Sequence, residues 1–113
     1  MESVRQQKVS KQIQKELGSL FQRTGGAVWG PGILVTVTKV AVTKDLQIAR
    51  IHLSIFGAAD KQDVMRKVRE KGNEIRFQLG RDMRHQLRVI PVLEFFEDDS
   101  LDYIEHIDRL LKS

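Results

Sequence analysis

Ile33 to Val42 reads Ile-Leu-Val-Thr-Val-Thr-Lys-Val-Ala-Val, and Gln47 to Phe56 reads Gln-Ile-Ala-Arg-Ile-His-Leu-Ser-Ile-Phe. Both runs are rich in β-branched residues and alternate in polarity, the period of strands with one covered face. The residues between them, Thr43-Lys44-Asp45-Leu46, make a short polar turn, so the two strands pair as an antiparallel hairpin. Ala49, Ile51, Leu53 and Ile55 then share one face, while Arg50, His52 and Ser54 share the other. The two faces are covered differently.

Working outward, Ser3 to Gln22 carries Val9, Ile13, Leu17, Leu20 and Phe21 on one helical face, with Arg5, Lys8, Lys11 and Lys15 on the opposite arc. Such a basic stripe suits either solvent or a polyanion. Arg23 to Gly32 contains Gly25, Gly26, Gly30, Gly32 and Pro31 and reads as a loop, with Trp29 packing over the sheet edge. It lacks the Lys-Ser/Thr ending of a phosphate loop.

After the hairpin, Asp60 is placed to cap a helix starting at Lys61, with Asp63 in its first turn and Val64, Met65 and Val68 facing inward. The pattern breaks at Lys71-Gly72-Asn73, because glycine weakens a helix and asparagine tolerates a left-handed backbone. A second helix follows, with Ile75, Leu79, Met83 and Leu87 as its buried edge. Its other side brings Arg81, Arg84 and Arg88 into a narrow arc with Phe77. Guanidinium forks suit phosphate and an exposed ring can stack on an unpaired base, unless a neighbouring element buries Phe77. Arg88 to Glu97 reads as a third strand beside the hairpin, and Pro91 confines it to an edge or a bulge because proline cannot donate to a ladder. Asp98, Asp99 and Ser100 signal the start of a last helix carrying Leu101, Ile104, Ile107, Leu110 and Leu111.

The 113 residues suit one domain spanning 1–113, and 41% hydrophobic with 30% charged residues is an ordinary globular composition. No apolar run approaches a membrane span, the polar N-terminus does not read as a signal peptide, and the absence of cysteine fits a reducing, cytoplasmic setting. Charge is polarised along the chain. Through Arg88 there are 17 basic and 8 acidic residues, net +9, and residues 89–113 hold 2 basic and 7 acidic, net −5. A basic body suits a polyanion and an acidic end is repelled by one, although a solvated surface of uneven sign has the same composition.

Catalytic raw material is thin. His52, His85 and His106 show no i, i+4 metal spacing, and Glu94, Glu97, Asp98 and Asp99 lack a phosphate-cradling loop to accompany a magnesium site. The expectation is a non-enzyme with no metal and no cofactor.

The order helix, strand, strand, helix, helix, strand resembles a KH-like domain. The run Ile75-Arg76-Phe77-Gln78-Leu79-Gly80-Arg81-Asp82-Met83-Arg84, followed by Leu87-Arg88-Val89-Ile90-Pro91-Val92-Leu93-Glu94-Phe95-Phe96, resembles the bacterial ribosome-binding factor A family. So do Val42-Thr43-Lys44-Asp45-Leu46 with Ala49 and Arg50, and Asp98-Asp99-Ser100-Leu101. The resemblance spans essentially the whole chain. It implies an α+β, KH-like (type II) domain, a three-stranded sheet packed against helices in the order α-β-β-α-kink-α-β-α. It also implies a monomeric cytoplasmic factor for maturation of the small (30S) ribosomal subunit, one that binds 16S rRNA in free 30S subunits and assists processing of its ends.

The family replaces the KH Gly-x-x-Gly loop with an Ala-x-Gly kink. The matching positions here are Lys71, Gly72 and Asn73, a departure in which asparagine can still occupy the left-handed position while the detailed geometry of the kink is left open. The expected phosphate contacts are Arg69, Lys71, Arg76, Arg81, Arg84 and Arg88, with Asn73 at the kink, Phe77 as a stacking ring and Lys8, Lys11 and Lys15 as a second patch. No membrane and no small-molecule substrate are expected. The alternatives are a general RNA-binding protein with a KH-like fold and a non-ribosomal protein-interaction module that uses the third strand's edge or the acidic last helix.

Overall fold

The computed structural model describes residues 3–98. Helix α1 runs Val4–Trp29 and opens with a reciprocal cap: the Gln6 N–H donates to Ser3 Oγ at 3.1 Å, and the Ser3 N–H donates to Gln6 Oε1 at 2.9 Å. Val9, Ile13, Leu17, Leu20 and Phe21 are buried, as their spacing requires.

The expected loop from Arg23 is helix instead, and α1 continues through Gly25 and Gly26 to Trp29. Glycine inside a helix costs roughly 1 kcal/mol. Burial of the Trp29 indole, only 3% exposed and edge-on to Phe21 at 5.7 Å between ring centroids, outweighs that cost. The true connector is short and ends against the hairpin. There Gly57 has φ +85°, and a Cβ on it would collide with the Gly32 carbonyl oxygen, so only glycine fits.

Strands β1 (Leu34–Val42) and β2 (Ile48–Phe56) pair antiparallel from Leu34↔Phe56 to Val42↔Ala49, with an irregularity between Val37 and Lys39. In the connecting turn Leu46 is left-handed at φ 62°, and the Asp45 carboxylate accepts from the Thr43 hydroxyl and the Gln47 N–H. Those two donors hold the Asp45 carboxyl below its ordinary value of 3.8.

The Asp60 carboxylate caps α2 (Lys61–Glu70) by accepting from the N–H groups of Gln62 and Asp63 at 3.0 and 3.3 Å. Helix α3 spans Gly72–Asp82. Residues Arg84 to Leu87 are not its continuation: the chain turns after Met83, whose carbonyl accepts from the N–H groups of both Gln86 and Leu87 at 2.9 Å. This reversal returns Ile90 across Gly80, where a Cβ would lie 3.3 Å from Ile90 Cγ1.

Strand β3 (Val92–Glu97) begins after Pro91, four residues later than Arg88, because proline supplies no ladder donor. It pairs parallel to β2, giving the order β1-β2-β3 with β3 at an edge. Parallel pairing needs a crossover, which α2 and α3 provide. The buried side chains of the described helices join Ala49, Ile51, Leu53, Ile55 and Phe95 in one core, so the described helices share one side of the sheet. The expected last helix, from Asp99 onward and including His106, lies outside the described residues.

Candidate nucleic-acid interface

Lys71 ends α2 and begins α3, with φ −93° and ψ 8°. The hinge is made by this one residue. Its N–H still donates to the carbonyls of Lys67 and Val68, and its own carbonyl accepts from the Ile75 N–H at 2.8 Å. Leu46 is the only non-glycine residue with positive φ among the described residues, so Asn73 does not use the left-handed conformation open to an asparagine. Gly72 does not have positive φ either, and a Cβ there would meet only Phe95 at 3.8 Å. The kink is a right-handed step that a lysine adopts without strain.

Beyond the hinge, Asn73, Arg76, Phe77, Gly80 and Arg81 on α3 face Arg88, Val89 and Ile90 across a shallow groove. Its lining holds three arginines and no acidic residue. Phe77 is 72% exposed, so no neighbouring element of the described structure buries it. A second groove runs between the hinge and β3, lined on the helix side by Arg69, Glu70, Gly72, Asn73 and Arg76. A third leads from Arg76 and Arg88 to Arg5 on α1, and Arg5 with Lys8 and Gln12 lines a fourth. A basic track therefore runs from Lys8 and Arg5 through Arg88 and Arg76 to Arg81.

Two of these arginines also hold the fold. Arg76 donates from Nε to the Pro91 carbonyl at 3.1 Å and from Nη2 to the Ile90 carbonyl at 2.6 Å, clamping the chain just before β3. Arg69 Nη2 donates to the Phe95 carbonyl at 3.0 Å. A guanidinium carries five N–H donors, so both residues retain capacity for a phosphate.

The structure separates other expected residues from this surface. Lys71 lies on the opposite side of the helix pair, beside Trp29 and Gln78, with its Nζ 3.8 Å from Glu74. Arg84 lies past the end of α3, and its Nε is 3.4 Å from His85 Nε2. It lines none of the grooves described, so the common arc expected for Arg81, Arg84 and Arg88 does not form. Lys11 and Lys15 are exposed on α1. Arg5 is the residue that sequence reasoning left out of the site. Its signal was its place in the same stripe as Lys8, and its link to Arg88 depends on where α1 crosses the segment before β3.

A mixed three-stranded sheet with a hinged helix pair on one face is the arrangement of a KH-like domain. The crystal structure of ribosome-binding factor A from Thermus thermophilus shares it, with a TM-score of 0.65 at 22% identity over 81% of this chain and 94% of that one. A homology model of the Thermus thermophilus factor, fitted into a cryo-EM map of a 30S complex, gives a TM-score of 0.63 at 22% identity over 80% of this chain and 91% of that one.

At the level of sequence, ribosome-binding factor A of Christiangramia forsetii is 38% identical over 111 residues, covering 98% of this chain and 85% of the relative. The family model described as Ribosome-binding factor A matches residues 5–111. The chain belongs to the ribosome-binding factor A family.

Proposed function

We propose that this chain is a monomeric, cytoplasmic binding factor for the small (30S) ribosomal subunit, acting as a single KH-like RNA-binding domain. It grips 16S rRNA and assists maturation of the RNA ends by binding, without catalysing a covalent step. The carrying observation is the groove of Arg76, Arg81 and Arg88 with Phe77 exposed at its side and no acid in its lining. Family membership and the related factor fitted in a 30S complex support the choice of RNA. Phosphate contacts by Arg76, Arg81 and Arg88 position the chain, Arg69 and Asn73 extend the surface toward β3, and Arg5 and Lys8 extend it along α1. Lys11 and Lys15 follow on the same helix. Lys71 and Arg84 would reach RNA only from outside the grooves.

The test is sedimentation of the tagged chain from a cell lysate, at low and at high salt. Co-migration with free 30S subunits at low salt, lost at high salt, is the expected result. Migration at the top of the gradient at every salt would overturn the proposal in favour of a protein-interaction module.

A further inference from the structure

Gly80 stands inside α3 without a positive φ, so its backbone does not call for glycine, and glycine weakens a helix interior. What the position needs is room. A Cβ there would come within 3.3 Å of Ile90 Cγ1, closer than ordinary van der Waals contact. One turn earlier, Arg76 donates from Nη2 and Nε to the carbonyls of Ile90 and Pro91. Arg76 and Gly80 share one row of the helix, and that row is the seam along which the chain returning toward β3 lies against α3.

The adjoining row of α3 stands free. Phe77 projects from it, 72% exposed, and Val89, next to Ile90 on the returning chain, is 75% exposed. Both line the same groove with Arg81 and Arg88, and neither belongs to the core. Apolar side chains held in water within a cationic groove mark a ligand that is both anionic and apolar. A nucleotide with its base unpaired is both. A base inside a duplex has its faces covered by its neighbours, and the duplex offers such a groove only phosphate.

We propose that Phe77 and Val89 are the two walls of a slot for one unpaired base, with Gly80 at its floor and Arg81 and Arg88 on the flanking phosphates. The slot rests on the reading that this groove binds RNA, and it narrows that reading. Val89 and Phe77 select an unpaired strand, whereas the arginines alone accept any RNA. Gly80 is a positioning residue: by leaving Ile90 against the helix it sets where Val89 and Arg88 stand.

Fluorescence anisotropy over a salt series tests this with a short RNA strand free of self-pairing and with the same strand annealed to its complement. Val89→Ser removes one wall and no charge. It should weaken binding of the free strand about 3- to 10-fold, with the duplex affinity and the salt slope unchanged. Gly80→Ala should weaken strand binding and flatten the slope by about 0.7, because pushing Ile90 outward carries Arg88 away from the phosphate. Adding Ile90→Ala to Gly80→Ala vacates the contact and should restore the slope, at a temperature where circular dichroism shows every variant folded. Gly18→Ala, on a part of α1 where an added Cβ meets nothing within 4 Å, should change neither affinity nor slope. Unaltered strand affinity in Val89→Ser, or an equal loss for strand and duplex, would overturn the slot and leave RNA binding by the groove in place. A slope untouched by Gly80→Ala, a loss that Ile90→Ala does not relieve, or a matching loss in Gly18→Ala would overturn the role of Gly80. A parent chain that binds neither form of RNA would overturn both the slot and the RNA reading.

Discussion

Replacing Arg81 and Arg88 together with alanine should flatten the salt dependence of RNA binding, whereas Arg84→Ala should not. Arg76, Arg81 and Arg88 line one groove and Arg84 does not. If each arginine neutralises one phosphate, the three together give a slope of about 2.1 to 2.7 in log affinity against log salt. A fourfold rise in salt, from about 50 to about 200 mM, then weakens binding roughly 20- to 40-fold through this groove. With Arg76 alone remaining, the same rise should cost only about 3-fold. Arg81 and Arg88 are exposed and have no ion-pair partner among the described residues, so thermal unfolding should be unchanged. The assay is fluorescence anisotropy with labelled small-subunit ribosomal RNA over a salt series. A slope unchanged in the double variant, or lowered equally by Arg84→Ala, would refute the assignment of phosphate binding to this groove.

Arg76→Gln should lose about 1–3 kcal/mol in urea unfolding, because the carbonyls of Ile90 and Pro91 lose their guanidinium donor. Phe77→Ala should leave unfolding within about 0.5 kcal/mol, the ring being exposed, yet weaken RNA binding by about 1–3 kcal/mol by anisotropy if it stacks on a base. Gly57→Ala should destabilise by more than about 1 kcal/mol, since its Cβ meets the Gly32 carbonyl oxygen at a positive φ; an unchanged melting temperature would contradict the close approach. The Asp63 carboxyl lies below its ordinary 3.8 because Arg66 and then Lys67 donate to it. Its contribution is therefore present above the unfolded value and fades as pH falls through the folded one. Asp63→Asn should accordingly melt below the parent at neutral pH, and that difference should close in acid.

Periodicity was enough to locate most elements. The alternation of Leu34–Val42 and Ile48–Phe56, the Asp60 cap and the break at Lys71 all stand where the residue pattern puts them, because each depends on contacts within a few residues. Two boundaries did not follow from local pattern. The glycines after Arg23 favour a loop, but burying Trp29 against Phe21 extends α1, and propensity cannot register a contact made by folding. The four-residue spacing of Ile75, Leu79, Met83 and Leu87 favours one long helix, yet the chain must reverse to set β3 parallel to β2.

The site divides along the same line. Its basic and aromatic composition was legible, because the arginines and Phe77 are read directly as residue types. Which arginines line one groove was not, because a helical wheel assumes the helix continues. Ending α3 at Asp82 drops Arg84 from the groove, brings Arg88 back opposite Arg76 and Arg81, and lets α1 add Arg5. Sequence alone thus determined most of the described elements, the basic character and the family resemblance, all carried by local spacing and residue type. Only the tertiary structure decided which charges share a surface, because that depends on where distant segments cross.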